Sequence, residues 1–222
     1  MGAGGLGLAI DEFNGDNFDH SGLGFIGGGF MQAGSNGARP IEFHPVPQGT
    51  PRWGSEFKKA VAKYYNRAFS ITIQGACQSY RGNYLDLDPT YRDAYGLPLL
   101  RMTFDRRENE TKMSEWLTNK AAEIAKAIGP SKMNVNPRRG KYTIVPYQST
   151  HNTGGTVMGA DPNSSVVNKY LQSWDVHNLF VIGAGNFPQN GGYNPTGTVG
   201  ALTYQALEAI KTKYLKKPGA LV

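Results

Sequence analysis

The sequence predicts an α+β fold, an antiparallel sheet flanked by helices, on three observations. Short segments of alternating polar and apolar residues are separated by turns rather than by helices, which is typical of antiparallel strands. One long segment has apolar residues at helical spacing. Aromatic residues make up 11% of the 222 residues, while the 29 glycines and 13 prolines follow no period. A packed globular protein is therefore indicated, and collagen-like and disordered classes are excluded.

Residues 1–54 are rich in glycine, asparagine, aspartate and proline, and they predict few regular elements. A short strand near Leu6–Ile10 is the exception. His20 and His44 are interpreted as loop histidines rather than ligands. Ser55 then has the residue type of an N-cap for a helix. The apolar residues at helical spacing after it are Phe57, Val61, Tyr64 and Tyr65.

The sheet is predicted from three segments that follow. These strands are Phe69–Gln74, Tyr84–Asp88 with a turn at Pro89, and Leu97–Phe104. The strongest helix prediction covers 108–128, where Asp105 and Glu108 have capping-box spacing and Gly129-Pro130 ends the helix. Its apolar stripe, interpreted as core, contains Met113, Trp116, Leu117, Ala121, Ile124 and Ile128. A short strand at Tyr142–Val145 leads towards His151.

The pattern changes after residue 148. Leu179–Ile182 is predicted as a short buried strand, followed directly by glycine, and 196–213 as a final helix. Lys211 and Lys213 fall at its C-terminal end, where cations are favourable. Residues 1–148 therefore predict one domain, whereas 149–222 form a β–loop–α segment that completes another domain and cannot fold by itself.

Charge and cysteine content narrow the function classes. The net charge of +6 raises nucleic acid as a partner, but the lysines and arginines are dispersed without interleaved aromatics, so we expect none. The single Cys77 excludes an internal disulfide and a cysteine-held metal cluster, and we expect no metal site. The sequence has neither an apolar run of about 18 residues nor the pattern of a signal peptide.

Three segments between His151 and Ala206 contain residues suited to chemistry. His151 lies on a turn of small residues, and histidine is the side chain best suited to general-base catalysis near neutral pH. Gly183-Ala184-Gly185 allows close backbone approach to a ligand, although a lone Gly-x-Gly is a weak signal. Asn194 precedes Pro195 at a predicted helix start, where free backbone amides favour a negatively charged ligand.

These three segments are HNTGGTVMG at 151–159, NLFVIGAGNFP at 178–188 and NPTGTV at 194–199. Together and in this order they resemble the C-terminal half of the glucose–methanol–choline (GMC) oxidoreductases, flavoproteins that oxidise alcohols and sugars. The upstream part is compatible with the substrate-binding domain of that family. Within the family, the sequence is most similar to the flavoprotein subunits of bacterial gluconate, glucose and fructose dehydrogenases.

The resemblance implies that His151 and Asn194 are the catalytic pair, acting on a sugar, polyol or sugar acid. It also implies an FAD cofactor, contacted by residues around the last two motifs. These cofactor-binding residues would be Gly185, Asn186, Phe187, Asn194, Pro195 and Thr196. A small subunit and a cytochrome subunit would be the partners, and the location would be the bacterial periplasm, at the membrane through those subunits.

Two departures from the family pattern lead to further expectations. Gly183 stands where many members have an acidic residue, so a cofactor contact from that side chain is absent or replaced. No strand–GxGxxG–helix pattern occurs in residues 1–40, so the N-terminal Rossmann part that holds the ADP portion of FAD is missing. We therefore expect a C-terminal fragment that is inactive alone. The alternatives are a non-catalytic carbohydrate-binding or scaffolding module and, more weakly, a nucleic-acid binder.

Overall fold

The computed structural model describes residues 19–34, 45–137, 140–143 and 151–221. In chain order, its helices and strands are β1 (Gly29–Gly34), α1 (Gly54–Tyr64), β2 (Ser70–Gly75), β3 (Tyr84–Arg92), β4 (Pro98–Thr103), α2 (Glu108–Ala127) and α3 (Thr196–Ala209). A 3₁₀ turn at Ala184–Asn186 precedes α3, and a π-helical turn at Ile210–Tyr214 follows it. Helices combined with small antiparallel sheets confirm the predicted α+β class.

Some predicted features lie outside the described residues. These are the strand near Leu6–Ile10, His44 and the second half of the strand predicted at Tyr142–Val145. The two described residues of that last segment, Tyr142 and Thr143, are irregular rather than extended in a sheet. His20 is described and exposed, as expected of a loop histidine.

The first core lies between α2 and the β1–β2 sheet. β1 and β2 pair antiparallel, with Gly29 opposite Gly75 and Gly34 opposite Ser70. The buried residues of the cluster are Ala76, Met113 and Leu117, with Phe25, Met31, Ile73 and Trp116 packed against them. The apolar stripe of α2 is buried only in its first part, because Ile124 and Ile128 are 37% and 57% exposed.

Among the described residues, the expected single sheet is replaced by two separate two-stranded sheets, β1–β2 and β3–β4. The partner of β2 is β1, which lies in the glycine-rich stretch where no strand was predicted. A side chain at Gly29 would collide with the Gln74 carbonyl oxygen, so this pairing depends on glycine at that position. The same glycines that indicated turns in the sequence therefore permit close strand contact.

β3 is longer than predicted, because it continues to Arg92. Leu85 is opposite Met102 and Leu87 is opposite Leu100, and the register shifts between Leu87 and Arg92. The predicted turn at Pro89 is wrong. Proline is tolerated at an irregularity where no ladder bond is required, so the strand continues through it. The chain reverses beyond β3, where the Asp93 carboxylate accepts hydrogen bonds from the backbone N–H groups of Tyr95 and Leu97.

Both predicted helix N-caps are displaced. α1 begins at Gly54 after Trp53, without a side-chain cap, rather than at Ser55. α2 has Arg107 as its N-cap, and the Glu110 carboxylate accepts a hydrogen bond from the Arg107 N–H at 3.1 Å. Asp105 does not cap α2, because its carboxylate accepts from the N–H groups of Tyr142 and Arg106 instead. The predicted helix 108–128 itself is confirmed.

A second core lies in the C-terminal part and contains Val167, Leu171 and Ala206, with Met158, Val181 and Leu202 against it. The prediction of a buried strand at Leu179–Ile182 is wrong. Only an isolated bridge between Phe180 and Gln172 forms there, and Leu179 and Ile182 are 47% and 43% exposed. A buried strand needs neighbours along both edges, and the described chain supplies one bridge. The predicted helix 196–213 corresponds to α3 and its π-helical turn.

Among the described helices, none has both the length and the apolar character needed to span a bilayer.

Candidate functional site

His151 is half-buried and is held at both its side chain and its backbone. Its Nδ1 lies 3.1 Å from Oε1 of Gln74, a residue of β2. Its carbonyl oxygen accepts a hydrogen bond of 2.9 Å from the Asn190 side-chain amide. The predicted base therefore belongs to a turn that is attached to the first sheet.

Residues 154–158 run alongside the 3₁₀ turn at Ala184–Asn186. Three backbone bonds join them, from the N–H groups of Gly154, Thr156 and Met158 to the carbonyls of Ala184, Gly185 and Asn186, at 3.3, 3.1 and 2.9 Å. A Cβ at Gly185 would lie 2.7 Å from the Thr156 hydroxyl oxygen. Glycine at this position therefore keeps the first two motifs in contact.

The Asn186 side chain is engaged inside the protein. It is fully buried, donates to the Val181 carbonyl at 2.6 Å and accepts from the Thr156 hydroxyl at 3.2 Å. A buried amide must have such partners, and here they fix the turn that leads into Phe187. The cofactor contact predicted for Asn186 stays a prediction.

The loop before α3 is fixed to the end of β2. The backbone N–H and carbonyl groups of Asn190 pair with those of Cys77 at 2.9 and 3.0 Å, and the Asn190 side-chain oxygen accepts from the Gly192 N–H. Gly192 has a φ of +72°, and a Cβ there would lie 2.7 Å from the Ala76 nitrogen. Only glycine satisfies both the backbone angle and the contact without strain. The Tyr193 ring also packs on Phe30 of β1, with 4.6 Å between ring centroids.

A cavity of about 140 Å³ lies at the start of α3. The residues around it include Thr153, Phe187, Asn190, Asn194, Pro195 and Thr198. Asn194 and Thr196 are exposed, and α3 has no side-chain cap at its N-terminus. Backbone N–H groups at an uncapped helix start are suited to binding negative charge.

Three of the predicted site residues, Phe187, Asn194 and Pro195, meet at this cavity. His151 lies next to this cavity through two residues that line it. Thr153 follows His151 by two positions, and the Asn190 side chain binds the His151 carbonyl oxygen. Gly185 and Asn186 are in the adjoining turn, and Thr196 begins α3. The roles assigned to these residues stay predictions.

Sequence patterns did not indicate Gln74 or Asn190 as site residues. Neither lies in a motif, and their contacts with His151 join positions 77 and 39 residues apart. Only the position of Asn190 beside Gly191 and Gly192, in a loop between two motifs, offered a weak signal.

A larger cavity of about 540 Å³ lies elsewhere, beside Met158, Asn168, Lys169, Trp174 and Leu221. It is mostly apolar and contains none of the predicted catalytic or cofactor-binding residues. Among the described residues, no group of three or more His, Cys, Asp and Glu side chains is arranged to hold a metal ion.

Glu110 is the centre of a hydrogen-bond network near the C-terminal end of β2. It is 6% exposed and accepts hydrogen bonds from the Gln78 N–H, the Tyr80 hydroxyl and the Arg107 N–H. Burial raises the pKa of Glu110, but these bonds outweigh it and hold the pKa below its ordinary value. Burial and the Glu110 carboxylate raise the pKa of Tyr80 to about 12 and that of Cys77 to about 11. Neither group is thus poised for acid–base work at neutral pH.

Comparison with known families identifies the class of protein. The family model described as GMC oxidoreductase matches residues 79–203, more than half of the chain. The chain belongs to the GMC oxidoreductase family.

Its relatives are dehydrogenases. The chain is 52% identical over its whole length to the gluconate 2-dehydrogenase flavoprotein of Pantoea cypripedii, of which it covers 36%. It is 30% identical over 86% of its length to the 2-methyl-1,2-propanediol dehydrogenase of Mycolicibacterium austroafricanum, covering 34% of that protein. It is 36% identical over 58% of its length to the fructose dehydrogenase large subunit of Gluconobacter japonicus, covering 22%. The chain thus spans about a third or less of each of these relatives.

Proposed function

We propose that this chain is the C-terminal part of an FAD-dependent dehydrogenase that oxidises a CH–OH group of a sugar, polyol or sugar acid. The observation that carries the proposal is the meeting of the three motifs around the start of α3, in a chain of the GMC family. The names of the relatives, with gluconate, a propanediol and fructose as substrates, support the class of substrate.

The residues around the cavity fit one edge of a flavin ring. The cavity volume of about 140 Å³ suits part of such a ring rather than a whole dinucleotide. The uncapped start of α3 favours the negative charge that a reduced flavin carries on its pyrimidine edge. Phe187, Asn194, Pro195 and Thr196 would hold that edge, with Gly185 and Asn186 in the turn behind it. When bound, FAD supplies the hydride acceptor.

His151 and Asn194 would handle the substrate hydroxyl. His151 accepts the hydroxyl proton, which raises the electron density at the carbinol carbon, so the hydrogen on that carbon leaves more readily with its electron pair. Asn194 donates a hydrogen bond to the same oxygen and fixes its angle. The three backbone bonds between 154–158 and 184–186 keep the turn of His151 in place during this step.

The test is the substitution His151→Ala in a full-length protein that carries this sequence. We expect the rate of flavin reduction by substrate to fall by about 10²–10⁴, the range for loss of a general base. His177→Ala is the matched control, since His177 is an exposed histidine of the same segment. Unchanged flavin content, measured by visible absorption, would show that the substitution slows the chemical step rather than weakening cofactor binding. A His151→Ala protein as fast as the control would remove His151 from this role.

The same absorption spectrum separates this proposal from a non-catalytic carbohydrate-binding module. An enzyme of the proposed class retains a flavin spectrum through gel filtration and loses its colour when substrate is added without an acceptor. A binding module would bind sugar with no flavin and would be indifferent to His151→Ala.

Partner subunits are part of the proposal. Two relatives are named as a flavoprotein and as a large subunit, which supports the presence of other subunits. By resemblance to the family, these would be a small subunit and a cytochrome subunit, at the periplasmic side of a bacterial membrane. Purification of the tagged full-length protein from membranes tests this. Co-purified haem absorbance is the expected result, and a haem-free, cytosolic protein would contradict it.

A further inference from the structure

Gln74 contacts one ring nitrogen of His151, and this contact favours one of the two tautomers of the imidazole. The distance between Gln74 Oε1 and His151 Nδ1 is 3.1 Å. An amide oxygen accepts hydrogen bonds and cannot donate one, so in the neutral ring Nδ1 is the donor. The lone pair of the imidazole is then on Nε2, the other ring nitrogen.

Both partners of this contact are held by the same part of the fold. Gln74 is inside β2, where it is paired with Phe30 of β1. The His151 carbonyl is bound by Asn190, whose backbone pairs with Cys77, only three residues beyond Gln74. The imidazole and its acceptor are therefore attached to one rigid frame, which limits rotation of the ring.

We propose that Gln74 is a positioning residue, which holds His151 in the tautomer with hydrogen on Nδ1 so that Nε2 accepts the proton of the substrate hydroxyl. The inference deepens the proposed function and rests on His151 as the base. In the opposite tautomer Nε2 carries hydrogen and cannot accept a proton, so each such molecule is unproductive. A residue that orients a catalytic histidine through its second nitrogen acts on rate rather than on substrate affinity.

The kinetic test uses the full-length flavoprotein and three variants. Gln74→Met keeps the size of the side chain but removes the acceptor, and we expect flavin reduction to slow by about 10- to 100-fold, less than for His151→Ala, with KM little changed. Gln74→Glu restores an acceptor oxygen and is expected to return the rate to within about fivefold of the unmodified protein. Gln32→Met on β1, an exposed glutamine opposite Thr72, is the control and should have no effect.

A spectroscopic test does not depend on activity. In the protein labelled with ¹⁵N-histidine, nitrogen shifts and couplings identify the tautomer, and the signals of His151 are those missing in His151→Gln. We expect hydrogen on Nδ1 in the unmodified protein and in Gln74→Glu, and a mixture of tautomers in Gln74→Met.

The outcomes separate this inference from the proposed function. If His151→Ala is as active as the control, the proposed function fails, while the tautomer measurement still decides the role of Gln74. If His151→Ala is inactive and Gln74→Met has both the rate and the tautomer of the unmodified protein, the positioning role is overturned. If Gln74→Met loses its flavin, its rate cannot be compared and the tautomer of the unmodified protein decides. Hydrogen on Nε2 in that protein would overturn the positioning role.

Discussion

At the scale of single residues, Cys77 shows how burial beside a carboxylate suppresses reactivity. Burial and the nearby Glu110 charge raise its pKa to about 11, while Arg106 acts in the opposite direction. An ordinary cysteine has a pKa of about 8.5, so the thiolate of Cys77 is scarce at pH 8. The sequence contains one cysteine, so labelling reports this site alone.

We therefore expect the folded chain to react with iodoacetamide at pH 8 about 10- to 100-fold more slowly than the unfolded chain. The rate in the folded state should keep rising with pH up to about 11, because the raised pKa delays formation of the thiolate. Glu110→Gln should increase the rate at pH 8. Equal rates for the folded and unfolded chains would show that Cys77 is not in this environment.

His151 and Asn194 were predictable from sequence as candidates because their residue types and neighbours are chemically distinctive. A histidine among small residues and an asparagine before proline are local features. Gln74 and Asn190 act through tertiary contacts, and nothing local marks a glutamine at a strand end as the partner of a histidine 77 residues away. The contacts that hold the candidate base are therefore not predictable from local sequence patterns.

At the scale of elements, the N-terminus of α2 depends on Glu110. Its carboxylate serves both the start of the helix and the segment after β2, through Arg107, Gln78 and Tyr80. Removing an acceptor that serves buried donors costs about 1–3 kcal/mol. We expect Glu110→Gln to lower the free energy of unfolding by about that amount at pH 7, measured with urea.

This stabilisation should depend on pH in a defined direction. The folded pKa of Glu110 is lowered, so its contribution is complete above its ordinary value of 4.5 and is lost as the pH falls through the folded pKa. The gap between the unmodified protein and Glu110→Gln should thus shrink in acid. Glu123→Gln is the control, since Glu123 is 61% exposed and should change stability by less than about 0.5 kcal/mol at either pH. A gap that is constant with pH would contradict the role given to the charge.

The loop before α3 provides a second test at this scale. Gly192→Ala places a Cβ against the backbone of Ala76 at a φ of +72°, whereas a Cβ at Gly191 meets nothing within 4 Å. We expect Gly192→Ala to destabilise the protein by at least about 1–2 kcal/mol, the range for a left-handed residue other than glycine, while Gly191→Ala stays close to unmodified. Thermal unfolding measures both, and similar melting temperatures would exclude close packing of this loop on β2.

Elements with a strong local pattern were predicted well, and those defined by partners were not. α2, β2 and β4 carry clear periodicity, and their predicted bounds agree with the structure within one or two residues. β1 was missed because its glycines match the signal of a turn, although they serve close pairing with β2. Leu179–Ile182 was mistaken for a strand because an apolar run does not reveal whether neighbours exist.

At the scale of the whole molecule, one face of the β3–β4 ribbon stands out. Leu85, Leu87, Leu100 and Met102 lie on that face in opposite pairs, and they are 45%, 63%, 68% and 56% exposed. The other face has the Asp86–Arg101 ion pair and Thr103. Leu85 also lies beside Gly155 of the His151 turn, since a Cβ at Gly155 would be 2.8 Å from the Leu85 side chain. The apolar face therefore adjoins the candidate site.

Contiguous exposed apolar side chains of this kind are typical of surfaces that another part of a protein covers. We expect the 222-residue chain produced alone to bind the dye ANS and to self-associate in sedimentation. Leu100→Lys on the apolar face should reduce both signals, whereas Thr103→Lys on the opposite face should leave them unchanged. The two variants are matched, since each adds the same charge to the same strand. In a protein as long as the relatives, we expect little ANS binding and slower hydrogen exchange along β3 and β4. If the long and short proteins bind ANS equally, or the two lysine variants behave alike, this face is not a covered surface.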